Sequence, residues 1–466
     1  MKKICISLFL TGILVLTVNA QQLKLHPVPS GIIYSMHNDD FTVQVRLHGE
    51  KEWQDLYEYK VQVDMDTKSD ASMVQFDFEG KVDLRVKVNN GMIHDVKIRP
   101  QNQNIEHTTE RNIISFSLEK PTKLSLEVNG DKLKNLHIFA NPPETEIPSP
   151  DDPDVIYFGE GMHRPKDLPG NSFTISSDKT VYLAPGAVIQ GKFICNKAEN
   201  VRFIGRGIIL NAQRGFEVTH SKNIEIDGIT VINPEHYTVY GGETNGLTVK
   251  NLNSFSNRGW SDGIDLMSCC NVFIDNVFMR NSDDCIALYA HRWNFYGDVR
   301  NVTVQNSVLW ADIAHPINVG GHGNYERTPG DTFENIIFRN IDILEHDEDD
   351  RDYQGCMTID VGDKNLVRNV LFENIRVENI QEGRLFTLKV RFNSKYDHQP
   401  GRGIENITFR NITYSGVGEN PSLIQGYDDD RKVKNITFEN VIINGKKMKN
   451  VDDFQVNDFV ENLNVK

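Results

Sequence analysis

Between Gln22 and Asn141 apolar residues recur at every second position in short runs: Phe41, Val43, Val45 and Leu47; Val82, Leu84, Val86 and Val88; Ile114, Phe116 and Leu118; Leu124, Leu126 and Val128. A period of two puts one face of each segment in a core and the other in water, which predicts antiparallel strands. Asn129-Gly130 follows the last run and predicts a tight hairpin turn. With almost no helical periodicity, residues 21–141 are expected to form a β-sandwich. Contact with glycan and capping of the next domain are its two candidate roles, and capping is preferred because an open coil end must be covered. The proline- and acid-rich stretch 142–154 predicts a stiff linker.

Beyond the linker the pattern changes to a repeat of the form Asn, apolar, x, apolar, x, Asn/Asp/Gly. It opens at Asn200, Asn223, Asn271, Asn301, Asn335, Asn369, Asn406 and Asn435, with a diverged copy at Asn245. Spacings of 23 to 48 residues fit a solenoid with loop insertions on its longer turns. The strands are short, no helix separates them, and asparagine falls where corners need left-handed backbone. The pattern predicts an all-β chain, with a right-handed parallel β-helix over 155–445 and a cap or tail over 446–466. It also explains the glycosylation-like sequons at Asn301, Asn406, Asn411 and Asn435 as corner asparagines followed by strand threonines.

The chain has 466 residues, 39% hydrophobic, with a formal net charge of −15. That balance excludes nucleic acid as an expected partner. Lys2 and Lys3, an apolar run to about Val18, and Val18-Asn19-Ala20 predict a secretory leader over 1–20, cleaved before Gln21. Export to a periplasm or the medium is therefore expected, with no membrane insertion. Cys195, Cys269, Cys270, Cys285 and Cys356 lack metal-binding spacing and have apolar flanks, so buried thiols are expected rather than disulfides.

Asp262 and Asp283 stand 21 residues apart, about one turn of such a coil, and Asp284 follows directly. Neighbouring rungs lie about 4.8 Å apart, so the three carboxylates are expected to share one cleft. Crowding raises at least one pKa while others stay ionised, which is the division of labour that glycosidic bond cleavage requires. Trp260, Tyr289, Trp293 and Trp310 are candidate sugar platforms, with core packing as the alternative for each. The acidic run Glu345–Asp352 is expected to be a solvated insertion rather than a calcium loop.

Read in order, Asn233-Pro234-Glu235-His236-Tyr237, Ser261-Asp262-Gly263-Ile264-Asp265, Asp283-Asp284-Cys285-Ile286 and His315-Pro316-Ile317-Asn318-Val319-Gly320 resemble glycoside hydrolase family 28, the polygalacturonase family. The resemblance covers roughly residues 155–445. It implies that Asp283 is the general acid, that Asp262 and Asp284 handle the attacking water, and that His315 supports the acid in a reaction that inverts configuration without a cofactor or metal. Gly321-His322-Gly323 also matches the family's histidine motif; His315 fits its setting better, and His322 is either a residue of the cleft rim or a loop histidine with no role. Where the family places Arg-x-Lys, this chain reads Gly355 to Asp360, with no basic residue. Lys389 and Arg391 offer that spacing one rung later. The two-domain layout resembles the dextranase and isopullulanase family, which widens the expected substrate from galacturonan to neutral glycans. A monomer acting on a polysaccharide or oligosaccharide is expected. A polysaccharide lyase and a non-catalytic glycan-binding surface protein are the alternatives.

Overall fold

The computed structural model describes residues 21–165, 169–417 and 419–466, so the leader expected over 1–20 lies outside the described residues. Described secondary structure is β-strand apart from three short 3-10 helices. No described helix is long and apolar enough to cross a membrane.

The first part is a two-sheet sandwich. One sheet has the order Gln54–Asp55, Phe41–Leu47, Val82–Val88, Ile113–Leu118, His107–Glu110, all antiparallel. The other holds Gln22–Leu25, Tyr59–Val63, Ser69–Glu79, Asp131–Asn141, Thr122–Val128 and Val96–Arg99, with one parallel pair between Ser69–Glu79 and Asp131–Asn141. The alternating residues Val43, Val45, Leu84, Val86, Ile114, Phe116, Leu124 and Leu126 fill the core between the sheets. At the Asn129-Gly130 turn both residues have positive φ, and Val128 pairs with Asp131.

The second part is a right-handed parallel β-helix. An eleven-stranded sheet, running from Ser172–Thr174 to Gln455–Val456, contributes one strand per turn, and every neighbour in it is parallel. Most of the remaining strands form a twenty-stranded sheet around the other sides, and two small pairs, His291–Arg292 with Phe295–Tyr296 and Gly383–Arg384 with Glu419–Asn420, stand apart. Val, Ile, Leu and Phe from all turns fill the bore, and Phe338, Phe372, Phe409 and Phe438 stack at 5.1, 4.8 and 5.0 Å.

The repeating asparagines hold the corners. Asn200, Asn223, Asn271, Asn301, Asn335, Asn369, Asn406 and Asn435 have φ between 55° and 60°. Their amides donate from turn to turn, for example Asn301 to Asn271 at 2.9 Å and Asn435 to Asn406 at 2.9 Å. The ladder continues to Asn462, whose strand Val460–Val465 pairs in parallel with Val433–Ile443. Part of the stretch expected to be a cap or tail is thus another rung. Cys195, Cys269, Cys285 and Cys356 are buried and Cys270 half-buried, with no disulfide among them.

The sandwich does not take the capping position expected of it. Tyr59, Val61, Val63, Ala71, Met73 and Phe139 pack on Val188, Ile208, Leu210, Ile232, Phe255, Phe278, Trp310 and Leu344, which belong to successive turns along one flank of the coil. The strand Ser69–Glu79 is buried on both faces, so it serves two cores at once. That apolar flank needs cover as much as an open end does, and it offers a longer surface.

Candidate active site

The three aspartates and His315 sit at the lead-in to successive strands of the eleven-stranded sheet: Asp262 before Ile264–Met267, Asp283 and Asp284 before Ile286–Tyr289, and His315 before Ile317–Gly321. Ile264 pairs with Ile286 and the Gly263 N–H bonds to the Asp284 carbonyl, so Asp284 rather than Asp283 stacks directly on the Asp262 corner. Gly263 makes this stacking possible, because a Cβ there would lie 2.2 Å from the Cys285 carbonyl oxygen. A buried polar network fixes the two corners: the Asn281 amide donates to Ser254, Ser256 and the Ser261 carbonyl, and Ser282 bonds to Ser256. One oxygen from each of Asp262, Asp283 and Asp284 lies within 4.8 Å of the others.

The environments of the three carboxylates differ sharply. Asp284 receives the His315 ring at 2.6 Å, the His315 N–H at 3.0 Å, the Asn318 amide at 2.7 Å and the Tyr289 hydroxyl at 3.1 Å. Burial pushes its pKa up, but His315 and these donors outweigh burial and hold it below the ordinary carboxylate value. His315 donates from its other nitrogen to the Tyr353 carbonyl. A carboxylate and a carbonyl facing its two nitrogens favour the doubly protonated, cationic ring. Burial opposes that charge, and Asp284 overcomes the opposition and raises the pKa. The histidine expected beside the acid is therefore the partner of Asp284.

Asp283, partly open to the cavity, accepts N–H groups from Trp260 at 2.8 Å and Asp284 at 3.0 Å. Burial and the Asp284 charge push it up to about 6 despite those donors. Asp262 is raised well above its ordinary value by burial first, then by Asp265, Asp283 and Asp284. Its Oδ1 is buried from solvent, and a carboxyl–carboxyl hydrogen bond links Asp262 to Asp265.

A cavity of about 300 Å³ opens over the cluster, at the lower end of the range for ligand sites. Its wall contains Trp260, Tyr289, His322 and Arg391, all expected, together with Arg292, Glu348, Tyr353, Asp360, Tyr396 and Met65. Trp260 is 70% exposed and offers its indole to solvent, whereas Tyr289 is buried and acts through its hydroxyl. His322 lies edge-on to Tyr289 at 5.2 Å, and burial with Arg292 and Arg391 pushes its pKa down to about 3. Arg391 is tied to Asp360 at 3.0 Å and Asp397 at 3.3 Å. Lys389 does not reach the wall; its ammonium points toward Asp352 at 3.8 Å. Trp310 is core, buried beneath Arg99 and Arg280 where the sandwich meets the coil.

Only the far half of the acidic run, residues 349–352, is the exposed insertion expected. Glu345 and His346 are fully buried, Glu345 pairs with Arg99 and Lys132, and Glu348 joins the cavity wall, because the segment runs between sandwich and coil. Arg292 was missed by motif reading. It follows Tyr289 on an insertion, packs against the rings of Tyr289, Trp293 and Tyr237 at 5.1 to 5.8 Å, and makes no ion pair within 4 Å among the described residues. A basic residue directly after a strand that begins at the paired aspartates was the available signal. Met65 had none, since it reaches the cavity from the sandwich.

The model of glycosyl hydrolases family 28 matches residues 178–460. The probable endopolygalacturonase D of Neosartorya fischeri is 26% identical over 234 residues, 49% of this chain and 43% of that protein. A dextranase of Arthrobacter sp. is 24% identical over 280 residues, 49% of this chain and 40% of that protein. The chain thus spans less than half the length of these curated relatives. The solved structure of Dex49A from Penicillium minioluteum shares the fold, with a TM-score of 0.63 at 14% identity over 95% of this chain and 96% of that one. Since the family match takes in more than half of the sequence, including the aspartate cluster and His315, the chain belongs to glycosyl hydrolases family 28.

Proposed function

We propose that this protein is an exported, inverting glycoside hydrolase that cuts O-glycosidic bonds of a polysaccharide or oligosaccharide. The observation that carries the reading is three clustered aspartates in unlike settings: Asp284 accepts from His315, Asn318 and Tyr289, whereas Asp283 is partly open to the cavity and raised to about 6. Asp283 gives its proton to the glycosidic oxygen as the bond to the anomeric carbon breaks. Water adds to that carbon, positioned by Asp262 and Asp284, and its proton passes to ionised Asp284. The oxygen spacing within 4.8 Å is tighter than the ~6.5–9.5 Å typical of inverting carboxyl pairs, so inversion rests on family membership. Proton NMR of the first-formed anomer tests it, and a retained anomer would refute it.

Arg292 supports a pectin-type substrate. A guanidinium in the cavity wall that makes no ion pair within 4 Å among the described residues suits a uronate, which it can bind in bidentate fashion. A neutral glycan is the second reading, favoured by the lack of any basic residue on Met357–Val361. The deciding measurement is reducing-sugar release from polygalacturonate, rhamnogalacturonan, dextran and pullulan by wild type and Asp283→Asn. Uronide-selective release that the substitution abolishes supports the first reading; release from dextran or pullulan supports the second. Equal release by the variant would remove Asp283 from the role of acid, and unsaturated products lost on chelation would indicate a lyase. Export is tested by the amino terminus of the protein recovered outside the cytoplasm, expected at Gln21.

A further inference from the structure

The short hairpin His291–Arg292 with Phe295–Tyr296 leaves the strand that follows Asp283 and Asp284, then folds back across the outer face of the sheet toward earlier turns. Phe295 is buried against Gly242, where an added Cβ would lie 2.4 Å from its ring, and it also meets Tyr240 at 5.6 Å and His220 at 5.5 Å. The Tyr296 N–H bonds to Glu243 at 2.7 Å. Trp293, 43% exposed, stacks on Tyr237 at 5.8 Å and lies against Tyr240 at 5.2 Å. The strand Val239–Gly242 is two turns before the one that Asp283 and Asp284 lead into, and His220 belongs to the turn before that. The sheet face on that side of the aspartates is therefore covered.

The opposite side is covered as well. Residues 392–400 fold back so that Asp397 fills the space over Gly362 and the His398 N–H bonds to Asp363. His398 stacks on Tyr325 at 4.0 Å, and Asn365 holds the His322 carbonyl, which ties this loop to the insertion after Ile317–Gly321. A third wall comes from the sandwich, where the Asp64 N–H is anchored on Asp312 at 3.1 Å and Met65 enters the cavity.

A glycan threaded along the sheet must continue past the cleaved bond in both directions, whereas a chain end needs only one opening. From these walls we infer that the enzyme is end-acting: the folded-back hairpin closes the cleft into a pocket that admits chain termini and excludes chain interiors. The inference rests on the hydrolase reading above.

The test is the size distribution of products from the most readily cleaved polysaccharide of the panel, followed from the earliest time points alongside solution viscosity. One short product from the first minutes, with viscosity lagging far behind reducing-end release, is expected. A ladder of fragment lengths with an early viscosity collapse would overturn the inference while leaving the hydrolase reading intact; no release from any glycan would overturn both. Phe295→Ala, which frees the hairpin from Gly242, is expected to raise the share of longer fragments several-fold. An unchanged distribution in a folded variant would overturn the hairpin's part in it.

Discussion

At the level of single residues, the site depends on one proton being in the right place. Asp283 must hold it, and with a pKa pushed up to about 6 its protonated fraction falls roughly tenfold per unit once the pH rises beyond that value. The pH profile of kcat/KM should therefore lose activity on the alkaline side from about pH 6, and Asp283→Asn should cost ~10²–10⁴-fold below that pH, a gap that narrows as the wild type loses its proton. His315 sets the other limb. As an imidazolium it lowers both Asp284 and, more weakly, Asp283, so His315→Asn, which retains a donor near Nδ1 but no charge, should move both limbs to higher pH. Unmoved limbs with a uniformly reduced kcat would mean that His315 is only structural. The three aspartates were legible in the sequence because they stand one turn apart in a regular coil, and His315 through the resemblance of its motif. The role of His315 was less legible, since spacing brings it near both aspartates and only the hydrogen bond to Asp284 chooses between them.

At the level of elements, the corner asparagine does two jobs that no other residue combines. It accepts left-handed backbone at modest cost, and its side chain bonds to the turns above and below. Asn406 has φ 58°, donates to Asn369 at 3.1 Å and accepts from Asn435 at 2.9 Å. Asn406→Ala should thus destabilise by roughly 2–3 kcal/mol, about half from strain and half from lost hydrogen bonds, read as a shift in the denaturant midpoint. Asn406→Gly should recover the strain portion alone; equal losses for both would assign the whole effect to hydrogen bonding. The same repetition made the coil readable, because a pattern that recurs each turn survives variation within any one turn. The insertions carry no repeat. Arg292, Glu348 and Tyr396 reach the cavity on segments whose course is set by what they fold against, and local sequence does not encode that.

At the level of the molecule, the sandwich is bound to the flank of the coil by charge as well as by apolar contact. Arg99 is fully buried and pairs with Glu127 of the sandwich at 2.8 Å and with Glu345 and Glu378 of the coil, each at 2.7 Å. Sequence pattern separated the two folds but could not foresee this contact, since the partners stand far apart in the chain and each looks like an ordinary surface charge. Burying such a cluster offers little net stability when complete, yet removing one partner is costly because the others remain buried without compensation. Arg99→Met, which keeps most of the aliphatic volume, should therefore cost ~3–5 kcal/mol at neutral pH. The sign of its pH dependence follows from Glu345. Burial raises that carboxyl, but Arg99 and Lys132 outweigh burial and hold it below its ordinary value. A depressed carboxylate contributes stability above its unfolded pKa, near 4.3, and loses it as pH falls through the lower folded value. The gap between wild type and variant should accordingly narrow in acid, because the wild type loses that contribution while the variant's carboxyls take up protons. Thermal unfolding of both proteins across the acid range measures it: one transition with a converging gap would show that the buried charge joins the two parts into one cooperative unit, whereas a constant gap would assign the loss to packing.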